Sequence, residues 1–395
     1  MLRKLDGIIT REPALIEFRR LFSEKIKDFR VVGGFVRNYL IGTNKSDIDI
    51  ATTLTPKALQ EFCLDKNIKF FEIGGAYGSI GINILGQTIE ITSTRLDIKA
   101  YGRQADVEYV ADWRLDSKRR DFTINALYVD FDEILYDFHG GQTDLANKKI
   151  KFIGAAQDRI NEDYLRIIRA FRFSCELPGF TIDGKDIASL EANISKVKEL
   201  SKERIKSELF RIFRTKAAPI YLQAFQENGL LRALDLDLNS KLNFVHKWES
   251  LSARSEIIFI AILNQAKDFK QLKYNLALSN GELSEIRLII KFMNCKIRRS
   301  DICQLRDENK MQVIEEILTA NYLISEISLE KYQENLEFAD NLELEKFPIS
   351  GNDLKIKGIT DGIEIGKVLK DLKSKWYQSE YKLSREELLE MVEML

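Results

Sequence analysis

Two histidines in 395 residues, His139 and His246, are too few for a histidine-built metal centre. Four cysteines, Cys63, Cys175, Cys295 and Cys303, lie far apart with no CxxC pair and no zinc-ligand spacing, as expected of free thiols in a reducing compartment. Five prolines are too few to build a Pro-rich linker between parts. No run reaches the roughly 18 apolar residues of a membrane span, and the charge-studded N-terminal stretch has no signal-peptide core. The expectation is a cytoplasmic protein with no membrane partner. Strong charge of one sign is missing as well: 60 basic residues stand against 61 acidic ones, a net of −1. That excludes a globally basic nucleic-acid binder and leaves local basic patches as the means of holding one.

What is present describes an ordinary soluble chain, 45% hydrophobic and 31% charged. Its length predicts two to four domains. The first part reads as mixed α/β. "FRVVGGFV", "KSDIDIAT", "GSIGINILGQTIEITSTR" and "FTINALYVDFDEILYDF" carry β-branched alternation bounded by turn residues. "NILGQTIEIT" predicts a hairpin with Gly86 and Gln87 at its tip. In "TPKALQEFCLDKN" Thr55 suits a helix cap and Pro56 the first turn. From about residue 155 the 3.6-residue period takes over and persists to the end. The expected fold is therefore α+β: a head with a small mixed β-sheet and helices, then an extended all-helical remainder.

The densest chemistry lies in "VVGGFVRNYLIGTNKSDIDIAT", residues 31 to 52. Asp47 and Asp49 alternate on a strand, so their carboxylates share one face. Such a pair suits Mg²⁺, which prefers hard oxygen ligands together with substrate phosphates. Alone, a DxD is better explained by a solvated turn with two exposed acids. Gly33 and Gly34 follow an apolar run, where bare backbone can approach a polyphosphate, and Arg37 follows at helical spacing to reach a phosphate oxygen.

The combination G-G-x-V-R with D-x-D-x-A-T resembles the nucleotidyltransferase superfamily, and within it the class II tRNA nucleotidyltransferase (CCA-adding) and bacterial poly(A) polymerase family. One departure is Asn38, where that family usually carries Asp. A third strand carboxylate is typical of the superfamily; Glu90 is a candidate, although an outward-facing strand Glu explains it equally.

Two further segments carry the resemblance. In "DSKRRDFTINAL" arginines suit triphosphate charge, while Asp121 and Asn125 can hydrogen-bond ribose hydroxyls. The string R-R-D-F-T-I-N-A is similar to the family's ribose-recognition motif, which implies nucleotide binding by Arg119, Arg120, Asp121 and Asn125. In "NEDYLRIIRAFRF", read as one helix, Asp163 and Arg166 are i, i+3 neighbours on one face. The family's base-reading motif has this form, implying that Asp163 and Arg166 read the cytosine or adenine edge, with Arg169 nearby on phosphate or base. The resemblance also implies that Arg95 and the stretch after it help switch nucleotide choice.

Toward the C-terminus, "ISGNDLKIKGITDGIEIGKVLKDL" is similar to the tail of CCA-adding enzymes, and Gly358, Gly362 and Gly366 are expected to offer helix-start amides to RNA phosphates. "SKERIKSELFRIFRTK", residues 201 to 216, holds six basic and two acidic residues, a surplus that can track phosphates. The resemblance implies a catalytic head over 1–139, a neck with the base-reading helix over 140–215, a helical body over 216–310 and a tRNA-binding tail over 311–395. It implies Mg²⁺-dependent, template-independent addition of CMP, CMP and AMP to tRNA 3′ ends from CTP and ATP. Asp47 and Asp49 would be the catalytic metal ligands, in a monomer or loose homodimer. Partial CC- or A-addition, poly(A) synthesis and an inactive RNA-binding relative are the alternatives.

Overall fold

The computed structural model describes residues 3–43, 47–73, 78–101, 104–236, 238, 245–249, 251, 256–263 and 268–392. The first two residues of the expected strand "KSDIDIAT" and both ends of the expected helix "SEIIFIAILNQA" lie outside them. The chain divides into two compact units, residues 1–212 with 227–234 and residues 213–226 with 235–395.

The first unit is the mixed head with the helices that follow it. Its strands are β1 (Arg3–Lys4), β2 (Phe29–Val32), β3 (Ile48–Thr52), β4 (Phe70–Ile73), β5 (Ser79–Ile84), β6 (Gln87–Ser93), β7 (Arg95–Tyr101), β8 (Gln104–Tyr109), β9 (Leu127–Asp130) and β10 (Ile134–Asp137). Eight of them form one sheet in the order β1-β10-β9-β2-β3-β6-β5-β4, while β7 and β8 pair as a separate ribbon. Within the eight-stranded sheet the β3–β6 ladder is the parallel one, and it sets Asp49 opposite Glu90. Helices α1 (Pro13–Leu21), α2 (Gly34–Ile41) and α3 (Pro56–Asp65) intersperse the early strands. Thr55 caps α3 by accepting from the Ala58 amide, with Pro56 at the first helical position. Stacked Phe18 and Phe22, both meeting Phe29 edge-on, lie in the buried core.

The expected hairpin is present one residue out of place: its tip is Leu85–Gly86, and Gln87 already belongs to β6. Both tip residues have positive φ, 54° and 81°, the conformation that matches strand twist in a two-residue turn. The predicted strand over "FTINALYVD" is also shorter than expected. Thr123–Asn125 form a 3₁₀ turn, and the ladder starts only at Leu127.

Helices α4 (Trp113–Lys118), α5 (Gly141–Ala146), α6 (Ala156–Glu162), α7 (Leu165–Glu176), α8 (Gly184–Asn193) and α9 (Lys202–Phe213) follow. Two short strands, β11 (Lys149–Ile150) and β12 (Thr181–Ile182), pair beside α7. Buried Arg172 on α7 ties that helix to α9 through Glu208 at 2.7 Å.

The second unit is helical throughout its described residues. From residue 218 onward the helices, of which only α11 belongs to the first unit, run α10 (Ala218–Glu227), α11 (Leu230–Ala233), α12 (Val245–Glu249), α13 (Glu256–Leu263), α14 (Phe269–Asn275), α15 (Asn280–Phe292), α16 (Arg299–Glu308), α17 (Met311–Ile324), α18 (Leu329–Asn341), α19 (Gly351–Ile356), α20 (Gly362–Gln378) and α21 (Arg385–Val392). Trp376, Tyr377 and Tyr381 anchor the terminal core of the second unit. Both tyrosine hydroxyls are matched: Tyr377 donates to Asp307 and Tyr381 to the Cys303 carbonyl, each at 2.7 Å.

Asp353 starts α19 by accepting from the Ser350 amide and hydroxyl and pairing with Arg385. These donors hold its carboxyl down at about 2. A depressed pKa contributes stability that is present above the unfolded value, roughly 3.9, and lost as pH falls toward the folded one. Asp353→Asn is therefore expected to speed amide exchange in α19 at pH 7, with the gap from wild type narrowing between pH 4 and pH 3. A gap independent of pH would rule out the carboxylate charge as its source.

Candidate active site

Strand β2 ends where α2 begins, and the join is Gly33. Its φ of +79° would strain a side chain, and a Cβ there would lie 3.9 Å from Arg120 Nη1 and 4.0 Å from Asp49 Oδ2. It is the backbone conformation, and not lack of space, that calls for glycine beside this cation and carboxylate. Its N–H is already given to the Leu127 carbonyl, so of the two glycines only Gly34, at the first position of α2, stands at a helix start. Arg37 lies one turn into α2 and is buried. Its partners are neutral amide oxygens, Asn125 Oδ1 at 2.5 Å and Asn38 Oδ1 at 3.0 Å. Burial pulls its pKa down to about 10, so it remains a cation at neutral pH. Asn38 therefore supports the arginine by a hydrogen bond without cancelling its charge.

Asp47 is exposed just before β3, and Asp49 sits on it half-buried. The parallel register brings Glu90 of β6 alongside Asp49. Burial and then the Glu90 charge push Asp49 up to about 6. Among the described residues no group of three acidic, histidine or cysteine side chains is arranged to hold a metal by itself. A pair of hard carboxylates with one half-buried and destabilised as an anion fits an ion such as Mg²⁺, which completes its shell with water and substrate phosphate.

Both aspartates line a cavity of about 560 Å³ whose other walls are largely arginine: Arg37, Arg119, Arg120, Arg166, Arg169, Arg172, Arg204 and Arg211. Eight guanidiniums against Asp47, Asp49, Asp121, Asp163 and Glu176 leave a cationic surplus suited to a polyphosphate. A second recess, about 330 Å³, shares Asp49, Arg119 and Arg120 and adds Glu90, Thr92 and Arg95. In the second unit a recess of about 820 Å³ sets Glu334, Glu337, Glu343, Glu345 and Glu380 against two cations, Arg299 and Lys382, a negative balance unsuited to a polyphosphate.

Asp121 is buried in this cavity wall. Against the upward push of burial, Arg169 and Asn125 hold its carboxyl well below the usual range. Arg169 Nε and Nη2 meet one oxygen at 2.7 and 2.5 Å, while Asn125 Nδ2 and the Phe122 amide take the other. Asn125 in turn accepts from Arg37, so Arg37, Asn125, Asp121 and Arg169 form one chain of contacts.

The base-reading segment departs from its predicted form. It is two helices, because α6 stops at Glu162 and Asp163 is extended, with φ −157° and ψ 106°. The Asp163 carboxylate accepts from the Leu165 amide, capping α7 in place of continuing α6. Its other oxygen pairs with Arg204 at 2.6 Å. Arg166 is on α7 as expected, and Glu162 pairs with it at 2.6 Å. It also donates to the carbonyls of Arg159 and Arg119, at 2.7 and 3.1 Å. These contacts use three of roughly five guanidinium hydrogens and leave Nε–H and one Nη2–H for a ligand.

Arg172, Arg204, Arg211, Glu176 and Phe173 line the cavity without having been picked from the sequence. Arg204 and Arg211 belonged to the basic surplus assigned to RNA phosphates. The structure pairs Arg204 inward with Asp163, whereas Arg211 stays exposed, 3.4 Å from Glu176. Two of the three tail glycines, Gly358 and Gly366, do not stand at helix starts. Gly358, with φ +93°, closes α19 at its C-terminal end, and Gly366 is inside α20. Gly362 does open α20, but Asp361 already accepts from the Ile363 and Glu364 amides there.

A cationic cavity facing Asp47, just before β3, and Asp49, on it, suits the polyphosphate of a nucleotide. Residues 29–151 match the family described as "Poly A polymerase head domain", and residues 179–241 that described as "Probable RNA and SrmB- binding site of polymerase A". The zebrafish (Danio rerio) mitochondrial CCA tRNA nucleotidyltransferase 1 is 30% identical over 391 residues, covering 95% of this chain and 89% of its own. The CCA-adding enzyme of Staphylococcus epidermidis is 30% identical over 382 residues, covering 92% of each. Among solved structures, the Bacillus stearothermophilus CCA-adding enzyme in complex with CTP superposes with a TM-score of 0.81 at 23% identity, over 97% of this chain and 98% of that one. The Thermotoga maritima CCA-adding enzyme complexed with tRNA gives 0.70 at 23% identity, over 100% and 99%. The chain belongs to the family of CCA-adding tRNA nucleotidyltransferases and poly(A) polymerases. Among the described residues no helix is long and apolar enough to cross a membrane.

Proposed function

We propose that the protein completes tRNA 3′ ends, adding CMP, CMP and AMP from CTP and ATP without a nucleic-acid template. The observation that carries this reading is that Asp163 and Arg166 share one cavity with Asp47 and Asp49. A carboxylate that accepts from an exocyclic amine and a guanidinium that donates to ring acceptors suit cytosine and adenine, while uracil and guanine present the opposite edges. The curated relatives named above, matched over nearly their full length, are CCA-adding enzymes.

Asp47 and Asp49 would hold Mg²⁺, with Glu90 beside Asp49. When bound, the ion would neutralise phosphate charge and lower the pKa of the attacking hydroxyl. The residues of the chain do the rest by position. Arg37, Arg119 and Arg120 orient the triphosphate so that the tRNA 3′-hydroxyl attacks the α-phosphorus and pyrophosphate departs. Asp121 and Asn125 face the ribose. No covalent intermediate is needed.

The test is extension of three tRNA transcripts ending before CCA, after C and after CC, with Mg²⁺ and CTP, ATP or both. Each is expected to gain only its missing residues and then stop. An unlimited A ladder would make the protein a poly(A) polymerase, growth confined to CC or to A a partial enzyme, and no growth an inactive binder.

A further inference from the structure

Asp116 is a carboxylate set behind the arginine wall that does not itself line the cavity. It is fully buried on α4. Its Oδ1 accepts from Arg119 Nε at 2.7 Å and from the Arg95 amide at 3.3 Å. Its Oδ2 accepts from Tyr128 Oη at 2.7 Å and lies 3.4 Å from Arg120 Nη2. Tyr128, fully buried on β9, accepts in turn from Arg120 Nε at 2.9 Å. Asp116 and Tyr128 thus grip both guanidiniums from behind, leaving the cavity-facing hydrogens of Arg119 and Arg120 for a ligand.

We propose that Asp116, acting with Tyr128, is a positioning residue that aims the Arg119 and Arg120 guanidiniums at the part of the nucleotide that CTP and ATP share. The inference rests on the nucleotidyl-transfer reading above. Four points support it. The two arginines line both the main cavity and the recess beside Glu90, so their direction governs the ground between them. An unguided arginine has several rotatable bonds to freeze on binding a phosphate, whereas these are frozen beforehand by the buried carboxylate and phenol. Burial alone would push the Asp116 carboxyl up, yet the two guanidiniums and Tyr128 hold it down at about 2, so it stays an anion throughout the working range. The same carboxylate holds the Arg95 amide, so the start of the β7–β8 ribbon and the arginine pair share one anchor.

Asp116→Asn keeps the size and one acceptor but replaces the other oxygen with a donor that faces Tyr128 and Arg120. Tyr128→Phe removes one hydroxyl and leaves the charge. Two effects compete in the first variant. Removing a negative charge strengthens the attraction of the arginines for phosphate, while removing the tether loses their aim. The proposal holds that aim dominates.

The experiment is steady-state addition by the full chain with CTP and with ATP, together with CTP affinity by equilibrium dialysis, tRNA affinity and thermal melting. For both variants KM rises, and CTP affinity falls, by about tenfold, the equivalent of one charge-assisted hydrogen bond. The factor is the same for CTP and ATP, kcat stays within about twofold, and tRNA affinity is unchanged. Asp186→Asn serves as comparison, since it is a buried carboxylate that caps the Phe152 amide away from the cavity; it is expected to lower the melting temperature without moving KM.

The proposal is overturned if the variants lower only the melting temperature, as Asp186→Asn does, or if nucleotide binding tightens, which would make Asp116 a charge damper. Should Asp116→Asn not fold, Tyr128→Phe decides the question by the same measurements. A wild-type protein that binds CTP yet extends no tRNA would defeat the transfer reading, and the dialysis ratio would still decide the role of Asp116.

Discussion

Asp47→Ala is expected to abolish nucleotide incorporation, lowering kcat by about 10³-fold or more, while tRNA affinity stays within about twofold of wild type. Asp47 is exposed and at the strand's mouth, so its removal opens no cavity and leaves the fold intact. What it removes is one of two carboxylates that would share the metal's charge. Asp49 would remain, half-buried beside Glu90, and a lone carboxylate with its pKa pushed up to about 6 is a weaker ligand than a pair. Quenched-flow addition on a CC-ended tRNA, with filter binding of the same RNA, reads both quantities. Activity equal to wild type would falsify the metal assignment, and a matching loss of tRNA affinity would place Asp47 in RNA binding.

The second large effect belongs to base choice. Asp163→Ala is expected to cut kcat/KM for CTP and ATP by about 10²-fold while changing UTP and GTP little, because a site built on hydrogen bonds loses most with the ligands that made them. The structure adds a reason for a strong effect. Asp163 is the partner of Arg204 and the cap of α7, so its removal unpairs a half-buried cation next to the site. Arg204→Ala separates the two contributions. If its selectivity stays at the wild-type ratio while Asp163→Ala loses it, Asp163 acts on the base directly. Equal loss in both variants would mean that the ion pair, and not the carboxylate alone, shapes the pocket. Single addition of each of the four nucleotides supplies the ratios.

Local chemistry was legible in the sequence wherever it was decided locally. Thr55 and Pro56 start a helix because a cap and a fixed φ need only their neighbours, and the Gly33 turn follows from the same logic. The change from mixed to helical periodicity placed the head and the helical remainder correctly. The misreadings came from residues whose behaviour depends on distant partners. Asp163 reads as one more residue of a helix until its carboxylate finds the Leu165 amide and Arg204. Arg204 reads as part of a solvent-facing basic stripe until α9 turns it toward Asp163. Glu90 could not be placed, since nothing in its own strand says that β6 runs parallel to β3 with Glu90 opposite Asp49. Asp116 and Tyr128 are silent for the same reason: an acid before two arginines and a tyrosine in a strand gain meaning only when 12 positions of chain fold them into contact.

The guanidiniums of Arg159 and Arg166 donate to the main-chain carbonyls of Arg119 and Arg120, across about 40 residues of sequence. Side chains of one segment are therefore fitted to the backbone path of another, which a point substitution leaves in place and a segment swap does not. In chimeras with a relative of this family, residues 113–128 and 156–176 behave as a single unit of exchange. Importing the second stretch without the first would join an intact-looking helix to a strap bent for a different partner.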